Sequence, residues 1–164
     1  MTEQKNSDAT PENLGFEVFG FIARPVHEVY EAVADPAQLS EYFTTGGAKG
    51  RLDAAGSTAE WDFADFPGAF PVTVLEAEQD RLISIRWGAA PGTSVDEAGT
   101  IVDFSFSPAD DGARTRLAIR EHAWKITADG AEAAFGNCMG WTGMLSALKV
   151  WLEHGIRLRE GFYR

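Results

Sequence analysis

One carboxylate in this chain falls where a ligand could meet it. Glu121 follows Leu117 and Ile119 at every second position of TRLAIREHAW (115–124). An extended backbone therefore sets all three side chains on one face. An acid on an apolar face must be paired, protonated or near water. Inside a cavity it can orient a ligand or act as a general base. On the other reading the alternation ends near Glu121, and the residue lies at a wet strand end. His122, on the opposite phase, belongs outside, as do Arg86 and Arg120.

Other residue types with chemical potential lack the spacing that chemistry needs. Hydrolytic triads require a nucleophile, a base and an orienter in contact. No G-x-S-x-G elbow is present, and Cys138 reads as a small residue at a helix start. His27, His122 and His154 fall on three different elements, so they do not converge on a metal. TTGGAKG (44–50) lacks the ending of a phosphate-binding loop and reads as a glycine-rich turn. No metal, cofactor or catalytic residue is assigned.

The remaining candidates are aromatic and apolar. Trp61, Phe63, Trp87, Phe104, Phe106 and Trp141 stand on inward phases, where rings fill a core or wall a cavity. Met144 and Leu148 share the apolar side of a C-terminal helix. Tyr30, Tyr42 and Trp124 suit a cavity mouth, where a ring packs while its polar atom stays wet. With Glu121 these twelve residues form the expected ligand-binding set.

Those side chains need elements to hold them. LGFEVFGFIA (14–23) reads as a first strand. Pro25 opens a short helix with Val26, Val29, Tyr30 and Val33 at helical spacing. Asp35 caps a second short helix that Pro36 begins, with Leu39, Tyr42 and Phe43 as its apolar side. From about Ala48 to His122 the pattern has period two. Ala59, Trp61 and Phe63 alternate with Glu60 and Asp62. Val72 and Val74, with Glu76 continuing the phase, form the next inward run. Ile83 and Ile85 follow, then Val102, Phe104 and Phe106. Asp80-Arg81 and Asp110-Asp111-Gly112 mark hairpin turns. Short turns make the pairing antiparallel.

From Asn137 the period becomes helical. Trp141, Met144, Leu145, Leu148, Trp151 and Leu152 form an apolar stripe. Thr142, Ser146, Lys149, Glu153, Arg157 and Glu160 form a polar one. A helix of about six turns is expected to lie in the concave face of the sheet. A straight helix in a curved sheet leaves space at one end, to be filled by side chains or a ligand. The expected fold is α+β: a curved antiparallel sheet wrapped around a long C-terminal helix, with an apolar pocket between them. Residues 1–13 read as a polar tail and 14–164 as one domain.

Composition narrows the partners. The 164 residues carry 14 basic and 25 acidic side chains, a net charge of −11. Scattered bases in an acidic chain argue against nucleic acid and against anionic lipid. No apolar run approaches the ~20 residues that span a bilayer. The polar N-terminus is no secretory signal, and a single cysteine excludes an internal disulfide. Together these favour the cytoplasm.

IARPVHEVYEAVADPAQLSEYF (22–43) resembles the opening of the START-like superfamily, also called SRPBCC. The branch it is similar to is the C-terminal domain of activators of the heat-shock protein 90 ATPase. VLEAEQDRLISIRW (74–87), TRLAIREHAW and GNCMGWTGMLSALKVWLEHG (136–155) fit the same branch in order. The resemblance covers roughly residues 14–160 and implies a helix-grip fold with a hydrophobic cavity. The chaperone-binding N-terminal domain of those activators has no counterpart in these residues.

Three functions follow as expectations. The first is a binding module for a small apolar or amphipathic molecule, without covalent chemistry. The second is an accessory protein acting on a chaperone ATPase. The third is a cyclase- or hydrolase-like enzyme using Glu121 with a pocket tyrosine. The expected partner is a small apolar ligand, with a chaperone or a second copy of the chain as further candidates.

Overall fold

The strand-forming runs pair into one seven-stranded antiparallel sheet. The structure is a computed structural model and describes residues 13–88 and 99–164. The elements in order are β1 (Leu14–Ile22), α1 (Val26–Ala34), α2 (Pro36–Tyr42), β2 (Gly47–Lys49), β3 (Thr58–Phe63), β4 (Phe66–Glu78), β5 (Leu82–Trp87), β6 (Thr100–Ala109), β7 (Arg114–Trp124) and α3 (Ala128–His154). The spatial order is β1-β7-β6-β5-β4-β3-β2. β1 therefore pairs with the last strand, and the two short helices carry the chain to the far edge. This is the α+β helix-grip architecture. The tail expected over 1–13 lies outside the described residues, apart from Asn13.

Period-two patterning holds on the face turned to the helices. Ala59, Trp61, Phe63, Val72, Val74, Ile83, Ile85, Val102, Phe104, Phe106, Leu117 and Ile119 are all buried. Arg86 and Arg120 are exposed on the other face. There, His122 Nε2 lies 3.0 Å from Asp103, which also accepts from Ser84 Oγ at 2.6 Å. The inward phase stops at Val74. The pairing of β4 with β5 shifts between Val74 and Glu76, so Glu76 turns outward and Ala77 packs on the core. Such a bulge adds one residue to one strand and reverses its phase. The glycine-rich stretch 44–50 also does more than turn, since Gly47–Lys49 is the edge strand β2.

Local signals set the short helices. Asp35 accepts from Ala37 N at 2.9 Å, and Pro36 takes the first turn, where its missing N–H costs nothing. The long helix departs from its sequence reading at both ends. It begins at Ala128, nine residues before Asn137, where the Thr127 side chain accepts from Gly130 N at 3.0 Å. It ends at His154, so Arg157 and Glu160 lie beyond it. Gly155 closes it at φ 69°, with its N–H donating to Trp151 O at 2.8 Å. That left-handed position suits glycine. At 27 residues α3 is about 40 Å long. Among the described residues no helix is long and apolar enough to cross a membrane.

Trp141, Leu145 and Leu148 turn into the core, with Leu148 fully buried. Lys149, on the polar stripe, is tied down. Its Nζ donates to Phe21 O at 2.9 Å and to Glu153 at 2.6 Å, and Glu153 accepts from Ala23 N at 2.7 Å. The second half of α3 is thereby fastened to β1.

A buried carboxylate centre and a flank pocket

β7 carries Glu121 into the interior, where it is 0% exposed. Trp87 ends β5 and Thr100 begins β6, and the two are paired across the strands. Thr100 shares a face with Val102, which sits opposite Glu121 on β7. Asn137 and Trp141 stand one helical turn apart on α3, so they reach the same point from above. Trp87 Nε1 donates to Glu121 Oε1 at 2.8 Å and Thr100 Oγ1 donates to it at 2.6 Å. Trp141 Nε1 donates to Oε2 at 2.7 Å. Asn137 Nδ2 lies 3.2 Å from Oε1 and 3.1 Å from Oε2.

All four partners are neutral side chains, and the indoles and the amide nitrogen can only donate. A neutral carboxyl would have to donate one bond itself, and among the four only the Thr100 hydroxyl could receive it. The set therefore suits an ionised carboxylate, whose two oxygens offer about four acceptor sites. Those sites are filled by the protein. The wet strand end is thus not where Glu121 lies. Its burial follows from the alternation of β7, whereas its partners come from three other elements.

A ring cluster surrounds this centre. Trp87 and Trp141 lie 5.1 Å apart between centroids, Trp61 and Trp87 5.9 Å, and Phe104 and Trp141 5.5 Å. Phe43 meets Trp61, Phe63 and Trp141 at 5.6, 5.0 and 5.4 Å. Glu121, Trp61, Phe63, Trp87, Phe104 and Trp141 are therefore brought together, and this part of the space between sheet and helix is filled by aromatic side chains. Tyr30 and Phe106 pair at 5.3 Å elsewhere in the core. The wet-edge placement does not hold for Tyr42 or Trp124. Tyr42 is 0% exposed and donates to Ala32 O at 2.9 Å, and burial pushes its hydroxyl pKa well above the ordinary value. Trp124 Nε1 is buried without a hydrogen-bond partner.

Open space lies on the flank of α3 instead. A pocket of about 450 Å³ runs between α3, Tyr42 of α2 and the segment that follows Gly155. Met139, Gly143, Met144 and Ala147 form its helix wall, and Leu158 and Phe162 its opposite wall. Of the twelve expected residues, Tyr42 and Met144 line it. Sequence reading missed the opposite wall, because it ran the helix on through Arg157 and Glu160, whereas α3 ends at His154 and the chain turns back. It also missed Thr100 and Asn137. Thr100 could have been found from its alternation with Val102, and Asn137 from its four-residue spacing to Trp141. Among the described residues no group of three or more His, Cys, Asp or Glu is placed to hold a metal ion.

Solved structures share this architecture. A Staphylococcus saprophyticus protein matches 89% of this chain and 96% of its own, at 23% identity and a TM-score of 0.72. The Aha1 dimer from Colwellia psychrerythraea, solved in solution, matches 87% of this chain and 98% of its own, at 20% identity and a TM-score of 0.66. A protein from the dynemicin biosynthetic locus matches 86% of this chain but 48% of its own, at 22% identity and a TM-score of 0.68. At these identities the likeness is one of fold. No curated protein matches the chain significantly. The family described as Activator of Hsp90 ATPase homolog 1-like protein matches residues 23–153. The match runs from the end of β1 almost to the end of α3, and the chain belongs to that family.

Proposed function

We propose that this protein holds a small apolar or amphipathic molecule in the pocket on the flank of α3 and performs no covalent chemistry on it. The observation that carries the reading is the pocket itself. Its volume of about 450 Å³ falls in the range of small-molecule sites. Methionine and phenylalanine walls beside small residues suit an apolar body of variable shape. Glu121 supports the same reading from the other side. A carboxylate whose acceptor sites are filled by four donors is a poor general base, and the tyrosines expected beside it stand elsewhere. A free cysteine, Cys138, fits work in the cytoplasm.

The test uses Ser146, an exposed residue on the pocket wall. Ser146→Trp should fill the space without entering the core. Wild type should raise Nile red fluorescence, and the variant should lose most of that signal at an unchanged melting temperature. Equal fluorescence from both proteins would refute the pocket.

The family supports a second reading, in which the protein acts on the heat-shock protein 90 ATPase through its acidic surface. Added in equimolar amount, it should then raise the chaperone's ATPase rate. Ser146→Trp should raise it equally, because the surface is untouched elsewhere. No change in rate at saturating protein would remove this reading.

A further inference from the structure

The flank pocket has a polar corner whose hydrogen bonds are unfinished. Arg159 and Tyr163 both line it. Arg159 Nε and Tyr163 Oη are buried and have no hydrogen-bond partner. The Arg159 side chain is only 10% exposed. Its guanidinium lies 4.6 Å over the Phe63 ring, 5.0 Å over that of Tyr163 and 5.4 Å over that of Phe43. Buried N–H and O–H groups are ordinarily paired, so two unpaired ones in one pocket wall call for a partner.

That partner is an oxygen acceptor. An Arg Nε–H can only donate, and a phenol can donate alongside it. We infer that the pocket takes an uncharged amphiphile whose carbonyl or hydroxyl oxygen accepts from Arg159 and Tyr163, while its apolar body lies along Met139, Met144 and Phe162. This rests on the pocket reading above and adds the head-group chemistry.

Charge decides against a carboxylate. Arg159 is already matched, since its Nη2 donates to Asp65 Oδ1 at 3.1 Å and lies 3.1 Å from Oδ2. Asp65 Oδ2 is itself buried without a hydrogen bond. An anionic head group on Arg159 would bring a second negative charge to a guanidinium that Asp65 already balances, in a poorly screened corner where like charges repel strongly. The net charge of −11 adds to the repulsion. A neutral oxygen gains the same two donors and avoids both terms.

The C-terminal segment can yield to admit such a head group. Tyr163 Oη rests directly on α3 at Gly143, where an added Cβ would come within 2.2 Å of it. Phe66 and Tyr163 lie 6.4 Å apart between ring centroids. Residues 155–164 form turns and no regular element, so a shift of that segment breaks no ladder of backbone hydrogen bonds.

The experiment compares 2-nonanone with nonanoate, followed by titration of the methionine methyl NMR signals of the full chain at pH 7.5. The ketone should bind about tenfold more tightly, the size of one good hydrogen bond kept against one charge repelled. Tyr163→Phe, which strands no charge, should weaken the ketone several-fold and leave nonanoate unchanged. Ser146→Trp should abolish both. Nonanoate binding as well as the ketone would overturn the head-group assignment and leave the pocket standing, as would a Tyr163→Phe protein that binds the ketone normally. Binding of neither probe, or equal binding by Ser146→Trp, would overturn the pocket reading and this inference with it. The comparison on wild type needs no variant, so it holds even if Tyr163→Phe folds poorly.

Discussion

Glu121→Ala should cost about 3–5 kcal/mol of stability, since each stranded buried donor costs about 1–3 kcal/mol and some recover water. Two indole N–H groups, an amide and a hydroxyl lose their common acceptor. The loss reaches beyond Glu121, because the carboxylate joins β5, β6 and α3 to β7 through those four side chains. Glu121→Gln keeps the volume but points an NH₂ group at neighbours that are donors. It should cost about 1–3 kcal/mol, the penalty of one group left without a partner. Urea unfolding measures both, and the indole N–H signals of Trp87 and Trp141 report the cause. Those two signals should move together in either variant. Variants within about 0.5 kcal/mol of wild type, the spread of ordinary surface changes, would mean that this centre does not fasten the helix to the sheet.

Leu148→Ala is the second large effect, at about 2–5 kcal/mol for a fully buried leucine. Leu148 is 0% exposed and lies on the core side of α3, between Leu145 and the partly buried Leu152. The rigid sheet beneath it cannot follow a shortened side chain, so a cavity remains. Its neighbour Lys149 gives the contrast. Its ammonium bonds the Phe21 carbonyl, so Lys149→Ala should cost about 1 kcal/mol, the usual net value of a hydrogen bond. A polar stripe read from spacing alone puts that residue near zero. The two variants compared by urea unfolding check the helix phase, and a Leu148→Ala protein no weaker than Lys149→Ala would contradict it.

The two expectations mark a boundary between local and distant information. Strand faces were legible because alternation is a property of consecutive residues. Leu117, Ile119 and Glu121 share a face whatever lies opposite. The same holds for Asp35-Pro36, whose cap acts two residues away. The start of α3 was not legible. Ala128–Gly136 contains small residues and an exposed Phe135, so it shows no apolar stripe and only tertiary placement supports it. The bulge after Val74 was equally hidden, since one extra residue changes the phase without changing the composition.

The site divides along the same line. The alternation of β7 offered Glu121 an inward place but left a wet strand end open as well, and the fold decided between them by burying it. That its charge is met by Trp87, Thr100, Asn137 and Trp141 was not legible, because those residues lie 34, 21, 16 and 20 positions away along the chain. Their convergence needs the register of β5, β6 and β7 and the seat of α3 to be settled together. The pocket depends on folding still more. Its outer wall is a segment that spacing alone reads as more helix, but that is held outside α3 by Arg159 on Asp65, 94 residues distant, and by Tyr163 against Gly143. Sequence determined which faces are apolar, since hydrophobic patterning is local. Only the tertiary structure decided which apolar space is filled by rings and which stays open, because that depends on volumes contributed by elements far apart in the chain.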